Sequence, residues 1–384
     1  MYAVKNGLLA DVVRGETYIG SVVWDKGVIL AAGADVEIPS EAEVIDAAGK
    51  WVTPGFVEAH CHISMASSPN NYNTRIDLNE WSDPVTPYLM AADSINPRDL
   101  AIAKAREVGF TTVCTLPGSS NVIGGNGICL KLKEAQTAAE LIIPGTEMFK
   151  MAFGENPKRF FGDNKKAPVT RMAVAALVRE TFCKAQEYAE KRRIAEEKSE
   201  RPPFDFRLHQ MLPVLTGERK VRIHCHRSDD IVSAISIAEE FGLTYSLEHV
   251  TEGWMIKDFL KEKKPWMVLD PLAMEPTKFE TQNISWKSPA VMEEAGLEFS
   301  LMQDTGYNTY LLPLYVGKCI AEGLSEIAAL RALTIWPAKN LGLDARLGSL
   351  EAGKDADIAV FSGHPFSAMS RCEMTVIDGR IYRS

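Results

Sequence analysis

His60 and His62 are separated by one residue in the run Pro54-Gly55-Phe56-Val57-Glu58-Ala59-His60-Cys61-His62. Side chains at i and i+2 of a strand share a face, so these imidazoles point one way and Cys61 the other. Two imidazoles at one strand end can close on a metal ion, although two histidines in a surface loop would show the same spacing. Three further apolar runs end in metal-ligating residue types. They are Val221-Arg222-Ile223-His224-Cys225-His226, Tyr245-Ser246-Leu247-Glu248-His249 and Phe299-Ser300-Leu301-Met302-Gln303-Asp304. One such ending is commonplace; four in succession point to a built site. Imidazoles with a carboxylate suit Zn²⁺, with Mn²⁺, Fe²⁺ or Co²⁺ also admissible. A cation held there lowers the pKa of water from 15.7 to about 7, which makes hydrolysis the natural chemistry.

The elements that position these residues alternate. Residues 111–116, 221–225, 244–247, 267–269 and 299–302 read as buried strands, with amphipathic stretches between them. Ile231, Ala234, Ile235 and Ala238 follow helical spacing, with Ser228 as N-cap, Asp229 and Asp230 in the first turn, and Gly242 at the end. Alternation over about 280 residues implies a parallel sheet and suits a distorted (β/α)8 barrel, whose chemistry sits at the C-terminal strand ends. Residues 1–54 and 340–384 are instead short β-type runs, the latter with Asp378-Gly379 as a hairpin turn. The two ends are expected to pair into one small β-sandwich domain, leaving 55–339 for the α/β barrel. A loop insertion at 64–97 and a helical insertion at about 170–205 exceed a minimal barrel. Gly124-Gly125-Asn126-Gly127 reads as a turn, since it opens no helix as a phosphate loop would.

Composition excludes other classes. Of 384 residues, 42 are Lys or Arg and 51 Asp or Glu, giving a net charge of −9. That balance argues against unspecific binding to nucleic acid or an anionic membrane. No run approaches the ~18 apolar residues of a membrane span. Asp11 and Arg14 interrupt what would be a signal peptide's apolar core. Seven scattered cysteines suggest no disulfide framework. The expectation is a cytoplasmic protein acting on a small molecule, with no nucleic-acid or membrane partner and a homo-oligomer left open.

Taken together, PGFVEAHCH, VRIHCH, SLEHVTEG, the Asp304 strand and NLGLDARLGSLEAGKDADIAVF resemble the amidohydrolase superfamily, in its imidazolonepropionase-like and prolidase-like branch. The resemblance covers nearly the whole chain. It implies one or two divalent metal ions, zinc foremost, with His60, His62, His224 and His249 as ligands. Asp304 would bind metal and shuttle protons, and His249, where free, would polarise the substrate oxygen. His226 is expected beside the substrate or behind the ligands. Lys150, in Phe149-Lys150-Met151-Ala152-Phe153, would be costly as a cation in a dry lumen. The resemblance implies that it is carboxylated and bridges two metals. The alternatives are a single-metal site, with Lys150 snorkelling or paired with Glu155, and Glu155 itself as a ligand. Asp304-Thr305-Gly306-Tyr307 departs from the family's Asp-His-Pro run, which alters the neighbours of the substrate pocket.

The implied reaction is metal-dependent hydrolysis of an amide-type C–N bond in an N-acyl amino acid, an Xaa-Pro or similar dipeptide, or a cyclic amide such as an imidazolone. A deaminase of a small heterocycle and a non-catalytic scaffold are the alternatives. Tyr72, Asn156, Arg159, His226 and Arg227 lie where substrate contacts gather. The arginines suit a carboxylate-bearing substrate, or pair at the surface with Asp229 and Glu155. His209 is expected to be structural, beside the helical insertion, and His364 to lie on the surface of the terminal domain.

Overall fold

A computed structural model of the chain describes residues 1–66, 77–270, 276 and 278–383. Strands β1 (Tyr2–Asp11), β2 (Glu16–Asp25), β3 (Val28–Gly33), β4 (Glu43–Asp46) and β5 (Trp51–Pro54) open the chain. There follow β6 (Phe56–Cys61), β7 (Phe110–Thr115), β8 (Ile123–Lys131), β9 (Met148–Ala152), β10 (Val221–Cys225), β11 (Tyr245–His249), β12 (Trp266–Leu269) and β13 (Ser300–Leu301). The last three are β14 (Ile358–Phe361), β15 (Cys372–Ile377) and β16 (Arg380–Arg383).

Both ends of the chain share one eight-stranded sheet, in the order β16-β15-β14-β5-β1-β2-β3 with β4 also on β1. The first half of β1 pairs in parallel with β4 and the second half with β5. β5 then pairs antiparallel with β14, Ile358 opposite Pro54, which stitches the two ends together. Asp378 and Gly379 both have positive φ, +48° and +80°, and form the two-residue turn between β15 and β16 that their sequence signals. Val4, Trp24, Ile29, Val52, Ile358 and Val376 fill the core of this sheet.

The second sheet runs β13-β12-β11-β10-β9-β8-β7-β6, so that the molecule is a mixed α/β fold around a nearly closed eight-stranded barrel sheet. β8 is antiparallel to both its neighbours and interrupts the expected parallel order. It also corrects the reading of Gly124-Gly125-Asn126-Gly127 as a turn. Glycines in a strand mark close backbone approach: Gly125 sits at φ +99°, and a Cβ on Gly127 would lie 2.2 Å from Leu116 Cδ2. The Asn126 amide is buried and donates to the carbonyls of Pro87 and Leu89, both at 3.0 Å, tying the preceding loop onto β8. β13 is two residues long, and no ladder joins it to β6 among the described residues. That seam is bridged by His62 N–H donating to Thr305 O (2.9 Å) and by Gln303 N–H donating to Glu58 Oε1 (2.7 Å).

Helices pack outside. Helix Ser228–Glu240 buries Ile231, Ala234, Ile235 and Ala238, as their spacing predicts. Ser228 is not its N-cap but its first residue; its N–H and hydroxyl donate to Glu252 Oε2 at 2.8 and 3.0 Å, putting an anion at the helix's positive end. Helix Arg171–Glu197 is capped by Thr170, whose hydroxyl accepts from Ala173 N–H at 3.1 Å. Its later turns are a solvated face of ion pairs such as Lys191–Glu187. Among the described residues no helix is long and apolar enough to cross a membrane.

Lys131, at the end of β8, joins the two sheets. Its buried ammonium donates to Asp355 (3.0 Å), Asp357 (2.8 Å) and Asp378 (3.0 Å). Removing one member of a buried ion pair strands the other charge, so Lys131→Met is expected to cost about 3–5 kcal/mol of stability. Urea unfolding checks this, and an unchanged midpoint contradicts it.

Candidate metal centre

β6 carries His60 with His62 just beyond its end, β9 carries Lys150, β10 carries His224 with His226 just beyond, and β11 ends in His249. His60 and Lys150 are fully buried and His249 is 2% exposed. In a regular strand Glu248 and His249 would face opposite sides. Both reach the lumen because His249 adopts φ +72°. Asp304, just past β13, sits at φ +51°. Such conformations are strained for residues other than glycine and cluster where surrounding structure enforces them.

Two groups of ligand atoms result. Asp304 Oδ1 lies 3.2 Å from His60 Nε2 and 3.1 Å from His62 Nε2, and Lys150 Nζ lies 3.3 Å from His60 Nε2. His224, His226 and His249 form the second group, each offering a nitrogen within 4.8 Å of the others. His249 links the groups, its Nε2 standing 4.0 Å from Asp304 Oδ2.

The outer ring nitrogens are anchored. His60 Nδ1 bonds Glu248 Oε2 (2.8 Å), His62 Nδ1 donates to Leu116 O (2.7 Å), His226 Nδ1 bonds Thr251 Oγ1 (2.8 Å) and His249 Nδ1 bonds Asp270 Oδ2 (3.2 Å). For His224 the pattern inverts: Nε2 lies 3.3 Å from the Asn156 amide. His224 Nδ1, His226 Nε2 and His249 Nε2 are buried and have no hydrogen-bond partner among the described residues. Each unmet group costs about 1–3 kcal/mol, a cost that a shared cation removes. The donor set therefore fits a divalent ion.

The electrostatics agree. Burial pushes His62, His224 and His226 below the usual histidine range and His249 down to about 3, which keeps these rings neutral and their lone pairs available at pH 7. Burial opposes ionisation of Asp304, but His249, His60 and His62 outweigh it and hold the carboxyl well below its ordinary value. Burial drives Lys150 down to about 8, against the pull of Asp304 and Glu248.

Several residues here carried no signal in the ligand pattern. Arg222 and Glu248 form a fully buried pair at 2.6 and 3.0 Å beneath the histidines, and Arg222 also donates to Ala59 O. Arg222 could have been found from its i−2 spacing to His224; Glu248 could not, since strand alternation turns it away from His249. Glu280 comes from the turn Phe279–Thr281; its Oε1 lies 4.0 and 3.9 Å from His224 and His226 Nε2, and its Oε2 accepts from Glu155 N–H. Lys278 bonds both Asn156 Oδ1 (2.7 Å) and Glu280 Oε1 (3.3 Å).

Other expectations need correction. Lys150 does not snorkel or pair with Glu155, which instead accepts from Glu280 N–H and faces Arg159 at 3.8 Å. Arg159 is exposed beside Glu155, and Arg227 forks onto Asp229 at 2.9 and 2.8 Å and lies over the Phe279 ring. Asn156 does reach the site, and His226 stands within the imidazole cluster rather than behind it. Tyr72 lies outside the described residues. His209 packs beside Tyr188 and Phe204 near the long helix. His364 is half-buried, edge-on to Trp51 and 3.7 Å from the exposed Glu326.

Partners that orient ligating histidines typically contribute 10–100-fold to metal affinity. Glu248→Gln, which removes the anion behind His60, is expected to weaken Co²⁺ binding by about that factor in competition with a chromophoric chelator. Undiminished affinity contradicts the anchoring role.

Comparison with known proteins follows the same lines. A profile of the amidohydrolase family matches residues 318–383. The chain is 37% identical to an amidohydrolase from Thermotoga maritima MSB8, covering 100% of both chains at a TM-score of 0.95. It is 28% identical, over 94% of its length, to amidohydrolase tasK of Hapsidospora irregularis, and spans 40% of that protein. It is 22% identical to imidazolonepropionase of Brevibacillus brevis over 91% of this chain and 85% of that one.

Proposed function

This chain belongs to the amidohydrolase superfamily, and we propose that it hydrolyses an amide-type C–N bond of a small molecule at a site holding one or two divalent cations, zinc foremost. His60, His62, Lys150, His224, His249 and Asp304 would hold them. The observation that carries this reading is the set of three buried imidazole nitrogens without a hydrogen-bond partner among the described residues, beside an ionised aspartate.

When bound, the cation supplies the positive charge that brings the pKa of water near 7 and polarises a substrate oxygen. The chain supplies the rest. Asp304 Oδ1 lies between His60 and His62 while Oδ2 faces His249, so one carboxylate can hold position and also take the proton of an attacking water. The same oxygen then delivers that proton to the leaving nitrogen. His249, kept neutral by burial and with Nδ1 on Asp270, offers Nε2 as a lone pair and would hold the cation that polarises the substrate oxygen. His226 within the second group, and Asn156 and Lys278 beside it, can orient a substrate. Arg159 faces Glu155 and Arg227 pairs with Asp229, whereas Lys278 reaches the Asn156 side chain beside His224, where it can meet a carboxylate such as that of an N-acyl amino acid, a dipeptide or an imidazolone acid.

Lys150 carries the choice between one metal and two. Its neutral amine can attack CO₂, losing one N–H proton and forming an anionic carbamate between the two groups. The amine is protonated below about 8 and neutral above, so carboxylation should become easier as pH rises through that value. Restoring metal-free protein with Zn²⁺ should thus depend on bicarbonate and speed up between about pH 7 and 9. Restoration indifferent to bicarbonate supports a single-metal site.

Hydrolysis of N-acyl amino acids, Xaa-Pro dipeptides and cyclic ureides, followed by loss of turnover with a chelator, tests the reaction class. Ammonia release from heterocycles would favour a deaminase; no turnover and no stoichiometric metal would favour a scaffold. Asp304→Asn is expected to lower kcat at least about 10³-fold while most metal stays bound, and retained turnover would refute the proton-transfer role.

A further inference from the structure

We propose that Glu58 is the positioning residue for Asp304, holding the backbone that presents its carboxylate to His60 and His62. The inference rests on the role given to Asp304 above. β6 and β13 meet at the seam of the barrel sheet without a ladder between them among the described residues, and β13 ends at Leu301. Met302 N–H still donates to Leu269 O of β12 at 3.2 Å, but on the β6 side the segment that carries Asp304 has no strand ladder among the described residues. Two contacts with β6 replace that pairing. The N–H of Gln303, immediately before Asp304, donates to Glu58 Oε1 at 2.7 Å. The carbonyl of Thr305, immediately after it, accepts from His62 N–H at 2.9 Å. Between these ties Asp304 adopts φ +51°. A left-handed aspartate needs its surroundings to enforce it, and both ties run to the segment that carries His60 and His62.

Glu58 is fully buried two residues before His60 on β6, so the clamp and the ligand histidines His60 and His62 come from one short segment. Among the described residues no arginine pairs with its carboxyl group, as Arg222 does with Glu248. Without the Gln303 tie, the 303–305 backbone can relax away from φ +51° and carry Asp304 Oδ1 off its position 3.1–3.2 Å from both imidazoles. What the clamp needs is an oxygen at the reach of Glu58 Oε1, not a charge. Glutamine keeps that oxygen; aspartate keeps the carboxyl group but falls one methylene short; alanine keeps neither.

The test compares the full chain with Glu58→Gln, Glu58→Asp and Glu58→Ala. Three readouts are taken: amide exchange at Gln303 in metal-free protein, Co²⁺ affinity, and kcat and KM on whichever substrate of the panel turns over. Glu58→Gln should match the parent within about threefold in all three. Glu58→Asp and Glu58→Ala should exchange Gln303 at least about tenfold faster, bind Co²⁺ about 10-fold more weakly and lose about 100-fold in kcat with KM nearly unchanged. If Glu58→Ala does not fold, Glu58→Asp carries the same comparison. The proposal is overturned if Glu58→Asp behaves like the parent, or if Glu58→Gln is as impaired as Glu58→Asp. Should the parent hydrolyse nothing, the hydrolase reading fails alone, while exchange and Co²⁺ affinity still decide the role of Glu58.

Discussion

A dry lumen cannot hold unmet lone pairs at no cost, and that constraint organises this protein. Five imidazoles, a lysine and an aspartate are packed where two of them, His60 and Lys150, see no solvent at all. Four of the rings spend Nδ1 on a carboxylate, a carbonyl or a hydroxyl, and His224 has its Nε2 beside an amide. Each ring is thereby fixed in orientation, and its remaining nitrogen is turned toward the others. Repulsion between such nitrogens and the cost of leaving them bare are offset only by a shared positive charge. Orientation by outer partners is how proteins commonly hold ligating histidines ready.

Beneath this layer, Arg222 and Glu248 form a buried ion pair that serves as the floor. Such pairs add little net stability once desolvation is counted. Here the pair has a geometric consequence, because Glu248 Oε2 also receives His60 Nδ1. The frame around the floor is irregular in ways that matter. β8 runs against its neighbours, β13 is too short to close the sheet by pairing, and His249 and Asp304 leave strand geometry where their side chains must turn inward. Lys131 then ties β8 to the terminal sheet through three aspartates, so the reversed strand is held from outside the barrel as well.

The part of this that the amino-acid order discloses is the part governed by periodicity. His60, His62 and His224 follow from a two-residue repeat at the end of an apolar run, and the Asp378-Gly379 hairpin from its demand for positive φ. Asp304 and His249 are visible as residue types at strand ends, but the direction of their side chains depends on backbone departures that no pattern encodes. β8 was hidden because its glycines, which look like turn punctuation, serve close packing against Leu116 and Leu89. Arg159 and Arg227 misled for a different reason: a guanidinium suits a substrate carboxylate and a neighbouring Asp or Glu equally, and only proximity decides. Glu280 and Lys278 reach the histidines from a loop remote in sequence, so nothing local marks them.

The account stands on two groups of ligand atoms converging on cations. X-ray diffraction from crystals grown with Zn²⁺, collected on both sides of the zinc absorption edge, examines that directly. The expected result is anomalous density within coordination distance of His60, His62 and Asp304, with a second peak beside His224 and His249 if Lys150 is carboxylated. Zinc bound elsewhere, or none within reach of these residues, would contradict it.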